Sequence, residues 1–210
     1  MFSSTDLPAT RTVLLQLRRE MSEAQNGRTL LERKREVLLR ELWNLLREVR
    51  HTEQEVRQRF QEAYRALREA RLAMGSEGIR WASLAPAART SYTASKRSVM
   101  GVALPVVELA VTPLPLPYSP WGSRAAFDEA RRRWLAASEV LGPWAEAITS
   151  VWRVAAEIER TQRRVNALEN LLIPRYQQAI RRIEDSLEEQ EREDFVRTKR
   201  VKERQEAGHD

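Results

Sequence analysis

The stretch LLQLRREMSEAQNGRTLLERKREVLLRELWNLLREVRHTEQEV, residues 14 to 56, decides the fold. Its apolar or small positions fall at Leu14, Leu17, Met21, Ala24, Leu31, Leu38, Leu42, Leu45, Val49 and Val56, on alternating spacings of three and four, with Arg28 and Arg35 interrupting once per heptad. Such a repeat lines one stripe of a helix and is the seam of a coiled coil. Phe60, Ala63, Leu67, Ala70 and Met74 continue it after a one-residue phase shift. The reading is one helix of about 64 residues ending at Met74, roughly 95 Å long. Thr10 or Asp6 can cap its start, and Gly75 and Gly78 mark its end.

A second periodic segment begins near Ser123, a plausible N-cap. It runs through Phe127, Trp134, Ala137, Leu141, Ile148, Val151, Ile158, Val165, Leu168, Leu172, Ile180, Ile183 and Leu187. Pro143 and Pro174 lie inside it, and each should bend or briefly interrupt the helix. Five of the nine prolines crowd between Pro105 and Pro120, in a connector poor in charge. There VALPVVELAV, residues 102 to 111, carries β-branched residues in partial alternation and suggests a short β-hairpin. Two long helices joined by such a connector bury their seams by folding back on each other, which brings both termini to one end.

The expected fold class is all-α, a long bent antiparallel two-helix coiled coil with a small connector knob. Its parts are an N-terminal shaft helix (residues 1 to 74), the connector (75 to 122), and a C-terminal shaft helix with a frayed tail (123 to 210). Counting back from the connector puts Gly27 near the level of residue 170, close to Pro174, so the bend is expected there. Val99, Val102, Leu104, Val106, Val107 and Leu109 form an apolar cluster too small for a domain core, of the kind that awaits a partner.

A net charge of +6 and a pI near 10.1 raise nucleic acid or an anionic membrane as partners. The distribution argues against both. From Arg11 to Met74 there are 15 Lys and Arg against 10 Glu, and from Ser123 to Glu184 there are 11 basic against 8 acidic residues. Mixed signs along a helix mark a solvated face laced with i,i+4 pairs, not a single-sign stripe. A membrane-surface coiled coil that binds or bends anionic bilayers is the alternative, and it would need a basic face. There is no cysteine, so disulfides and thiolate-bound metals are excluded. The opening MFSSTDLPATR lacks the pattern of a secretory signal, and no stretch reads as a transmembrane span.

No constellation for catalysis emerges. A phosphate-cradling loop is absent, and Gly75 and Gly78 fit a helix stop better than a nucleotide site. His51 and His209 lack companions as metal ligands, and no serine has a histidine nearby in sequence to act as base. Glu188, Glu189, Glu191, Glu193 and Asp194 are interleaved with Arg192, Arg197 and Lys199, which reads as a charged, solvated helix. The tryptophans at 43, 81, 121, 134, 144 and 152 read as core or subunit contacts. The chain is expected to be no enzyme, with no catalytic, cofactor-binding or metal-binding residues.

Three separated blocks resemble one family. Pro8, Thr10, Arg11, Leu14, Leu15, Leu17 and Arg18, followed by Gly27, Leu30, Leu31, Lys34 and Arg35, look like the start of the D subunit of V/A-type ATPases. RRVNALENLLIP (Arg163 to Pro174) and EEQEREDFVRTKRVK (Glu188 to Lys202) are similar to that family's most distinctive stretch, and VMGVALPVVE (Val99 to Glu108) resembles its connector. The resemblance implies a cytoplasmic central stalk, peripheral to the membrane and without cofactor. It implies insertion into the hexamer of catalytic and nucleotide-binding subunits (A and B), with the stalk's small F subunit and a ring-side funnel-shaped subunit as further partners. On that reading Arg11, Arg18, Glu191, Arg192, Asp194, Phe195, Arg197 and Lys199 face the collar, while Val106 and Leu109 face the ring side. The balance of 32 Arg to 4 Lys suggests a GC-rich prokaryotic source.

Overall fold

The computed structural model describes residues 8 to 84, 88 to 114 and 125 to 206, with side chains as far as residue 202. In chain order these form α1 (Arg11–Ala82), β1 (Ala88–Val99), β2 (Val102–Pro113), α2 (Ala125–Glu139), α3 (Leu141–Ala167) and α4 (Ile173–Glu206), with a π-helical turn, Leu168–Leu172, joining the last two. The architecture is all-α with one small hairpin, as the periodicity predicts. Thr10 caps α1, its hydroxyl accepting from the Val13 N–H at 3.3 Å. Asp6, Ser123, Trp121 and His209 lie outside the described residues.

The first helical run breaks directly after Met74, at Gly75, and a second short run follows it. Gly75 adopts φ 75° and ψ 167°, which breaks the ladder, and the helix then resumes to Ala82. Glycine takes that conformation at little cost. Ile79 and Ala82, just beyond it, pack on the cluster of Ala66, Ala70, Phe127 and Ala130, and this burial carries the helix onward.

Two compact units are distinguished, one of residues 1 to 35 and 160 to 210, the other of residues 36 to 159. In the first, Arg11, Arg18 and Arg28 pair in turn with Glu191, Glu184 and Glu169. Partners descend along the second helix as α1 ascends, so the pairing is antiparallel. Leu17, Ile180 and Ile183 are buried between the helices, flanked by Val13, Leu14, Met21, Tyr176, Ala179 and Leu187. The Arg28–Glu169 pair sets Gly27 close to the level of residue 170, as the count along the chain predicts.

Gly27 itself is not where the helix changes. α1 passes through it unbroken, and a Cβ there would meet nothing within 4 Å. The irregularity lies on the other helix, immediately before Pro174. The Ile173 N–H donates to the Leu168 carbonyl five residues back, which makes the turn one residue wider than an α-turn. Proline has no N–H, and in a regular helix its ring crowds the carbonyl four residues earlier; the wide turn accommodates both. The extra residue also rotates everything after it. Leu168 is only half-buried and Leu172 is 36% exposed, while Ile173 is buried at 8%. The seam expected through Leu168 and Leu172 therefore passes through Ile173 instead.

In the second unit Leu38, Leu45 and Val154 form a core with Val102 and Leu104 of β2, flanked by Leu42, Val99, Val151 and Ile158. Further along, Trp134 meets the rings of Phe60 and Tyr64 edge-on, with centroids 5.6 and 5.1 Å away. The second shaft segment is briefly interrupted three residues before Pro143, as expected, since its ring crowds the Glu139 carbonyl four residues back. The break falls at Val140, and Pro143 sits in the first turn of α3, where a missing N–H costs least.

The hairpin is larger than residues 102 to 111. β1 and β2 pair antiparallel from Ala88↔Pro113 to Val99↔Val102. The two-residue turn places Met100 at φ 51° and Gly101 at φ 80°, the signs of a type I′ turn, whose twist suits a hairpin. Nor is the whole connector cluster free. Val102 and Leu104 are buried on α1 and α3, the Val107 N–H donates to the Glu146 carboxylate at 2.9 Å, and Arg153 donates to the Ala103 carbonyl at 2.7 Å. Val102 and Leu104 are thus covered within the chain, while Val106, Val107 and Leu109 stay half-buried.

Candidate functional site

The residues picked out near the chain ends fall into two sets. Arg11 and Glu191 meet at 2.6 Å, and Arg18 meets Glu184 at 2.6 Å. Arg11 is the first residue of α1, so this ion pair marks where the two-helix seam ends. Beyond it, every described residue from Glu188 to Lys202 is exposed. Arg192 pairs along its own helix, with Glu188 at 3.4 Å and Glu189 at 3.9 Å, and Arg197 lies 3.9 Å from Asp194. Phe195 is 73% exposed, with Val196 and Val201 also turned to solvent, and Lys199 lies on the same open stretch.

The stretch presents charges and a phenylalanine to solvent. Solvent-exposed ion pairs are worth about 0 to 1 kcal/mol each, so they form and exchange readily. An exposed phenylalanine among such charges supplies apolar area that a neighbour can bury. Glu184 is a partner the sequence pattern does not single out; its signal is a carboxylate flanking the seam at the level of Arg18.

At the hairpin, Val106 and Leu109 are both half-buried. Leu109 packs against Gly142 at the start of α3. The exposed tryptophans are elsewhere: Trp43, Trp81 and Trp152 are turned largely to solvent. Among the described tryptophans, Trp134 packs edge-on against aromatic rings.

Shifted titrations point to structural ion pairs. A hydrogen bond from Arg133 holds the Glu129 carboxyl below its ordinary range, while Arg132 adds a favourable field and partial desolvation opposes it. Arg133 is raised in turn, first by Glu129 and further by Glu62 on α1, whose carboxylate is 2.9 Å away. Burial raises the Tyr176 phenol, with Glu20 and Glu23 adding to the effect. Among the described residues no cluster of three or more histidines or carboxylates could hold a metal ion. No described helix is long and apolar enough to cross a membrane.

Residues 13 to 203 match the family of the ATP synthase D subunit. The chain belongs to the ATP synthase D-subunit family. It is 36% identical over 199 residues to the A-type ATP synthase D subunit of Methanopyrus kandleri, covering 94% of this chain and 86% of that protein. Identity is 39% over 199 residues to the V-type ATP synthase D subunit of Thermotoga neapolitana, covering 93% and 96% of the two chains. A V-type ATP synthase D subunit from an Anaeromyxobacter species is 38% identical over 205 residues, covering 95% of this chain and 94% of that protein. As a member of the D-subunit family the chain is part of an ATP synthase complex, and its partners include other subunits of that complex.

Proposed function

We propose that the chain is the central rotor shaft of a V/A-type ATP synthase, carrying torque between the catalytic hexamer and the membrane ring and doing no chemistry itself. The observation that supports this most is the family match across residues 13 to 203, in a chain built of long helices paired antiparallel. Two wound helices brace one another and resist twisting better than one. A surface of exchangeable ion pairs such as Arg11–Glu191 and Arg18–Glu184 turns inside a collar where a continuous apolar surface would stick.

On this reading the chain ends, with Arg11, Arg18 and the stretch Glu191 to Arg200, face the hexamer formed by subunits A and B. The hairpin end, with Val106, meets the stalk's F subunit and the funnel-shaped ring-side subunit. The shaft then sits on the cytoplasmic side, peripheral to the membrane. Affinity purification of the chain from its native host tests this: recovery with the catalytic hexamer and the small F subunit is expected. Recovery without them, or saturable ATP binding by the pure chain, overturns it.

A further inference from the structure

The seam of α3 and α4 is written in two frames. Ile158, Thr161, Val165, Leu168 and Leu172 follow alternating spacings of three and four, and so do Ile173, Tyr176, Ile180, Ile183 and Leu187. The second frame starts one residue after the first ends. Opposite them, α1 keeps a single frame from Leu14 to Arg35. One residue of α3–α4 must therefore drop out of register, and the π-turn Leu168–Leu172 is where it does so.

The position of that wide turn decides which aliphatic residues are covered. As observed, Ile173 is seated at 8% exposure, while Leu171 and Leu172 are 49% and 36% exposed. If the wide turn came one turn later, Leu168 and Leu172 would face α1 and Ile173 would leave the seam. Leucine and isoleucine bury similar apolar area, so burial alone separates the two placements weakly. The facing stretch of α1 also leaves latitude, because it carries Ala24, Gly27 and Arg28, and Gly27 has open space where a side chain would stand. The flanking pairs Arg18–Glu184 and Arg28–Glu169 are only partly covered, and Arg28–Glu169 is long at 3.6 Å, so they hold neither frame firmly. Pro174 supplies the bias. Its ring would crowd the Asn170 carbonyl in a regular α-turn, so the wide turn sits most comfortably just before it.

We propose that the π-turn is a movable one-residue slack in α3–α4, exchanging between its observed place, with Ile173 seated and Leu172 outside, and a place one turn further on, with Leu168 and Leu172 seated and Ile173 outside. The exchange makes the outer apolar surface at Leu172 conditional. A neighbour that covers Leu171 and Leu172 selects the observed frame, by as much as it binds that frame better. From Ile180 onward the seam is the same in both.

The chain has no cysteine, so single-cysteine variants of the full-length protein report each position without background. Leu172→Cys, Ile173→Cys and Ile183→Cys are labelled with a maleimide under native conditions. Ile183 is buried at 5% and stays seated in either frame, so it serves as the reference. Exchange predicts that Ile173→Cys labels at least about tenfold faster than Ile183→Cys. Adding Pro174→Ala removes the bias, which speeds labelling at Ile173→Cys and slows it at Leu172→Cys. Deleting Asn170 joins the two frames and brings Ile173→Cys down to the Ile183→Cys rate. Equal rates at Ile173→Cys and Ile183→Cys in the parent chain, or a Pro174→Ala change that moves all three positions in the same direction or none of them, overturn the proposal.

Discussion

A Cβ placed on Gly142 would stand 2.9 Å from the Cβ of Leu109, closer than two such atoms can sit. α3 thus begins hard against β2, and neither atom is the loose end of a flexible side chain. Gly142→Ala is expected to destabilise the chain by about 1–3 kcal/mol, outweighing the helix propensity that alanine adds. Thermal melts of double variants identify the cause. Leu109→Gly should restore part of the loss and Leu109→Ala should not, because the clash is with the Cβ that alanine keeps.

The buried and half-buried residues of β2 should separate folding from assembly. Leu104 is fully buried on the core of Leu38, Leu45 and Val154, so Leu104→Ala should cost about 2–5 kcal/mol in denaturant unfolding. Val106 is only half-buried, and Val106→Asp should change stability by no more than about 1 kcal/mol. In the assembled complex the same Val106→Asp variant is expected to loosen attachment to the ring-side subunits while the shaft still enters the hexamer.

Truncation tests the exposed end of α4. Removing residues 203 to 210 should leave both melting temperature and coupled ATP hydrolysis unchanged. Cutting back to residue 190 deletes Phe195 and its charged neighbours, all exposed, and should slow or uncouple hydrolysis by the complex with little change in the melting temperature of the isolated chain. Coupled turnover at the full-length rate after the longer cut would leave the tip without a coupling role.

The Glu62–Arg133–Glu129 network carries a pH dependence whose sign follows from its shifts. Glu129 titrates below its ordinary value of 4.5 because Arg133 donates to it. Its contribution is therefore fully present above that value, and is lost as pH falls through it towards the lower folded-state pKa. Stability of the parent chain should drop slightly more steeply on acidification than that of Glu129→Gln. Parallel acid melting curves for the two proteins would exclude any role for this pair.

How much is legible in the sequence differs from one helix to the other. The α1 seam can be read because its frame is unbroken from Leu14 to Val56. The α3–α4 seam misleads at Leu168 and Leu172 because Leu171, Leu172 and Ile173 are all aliphatic, and pattern alone cannot say which of three adjacent apolar residues a wide turn will seat. β1 leaves no trace of alternation, since every residue from Arg89 to Ser98 is exposed and no buried face imposes a period of two. Among the candidate contacts, the charges of α4 are legible as solvated. Val102 and Leu104 of the connector mislead as free surface because their cover comes from α1 and α3, far away in sequence.

The hairpin also has to avoid sticking to copies of itself. A two-stranded sheet has two bare margins, and bare margins are templates for aggregation. Along β2 the margin is blocked by Pro105, which offers no N–H, by Glu146 occupying the Val107 N–H, and by Arg153 occupying the Ala103 carbonyl. Along β1, Arg89, Lys96 and Arg97 lie exposed with no acidic residue among them. Two copies approaching through β1 would set like charges side by side, so this ribbon repels its own kind along one margin and is stoppered along the other.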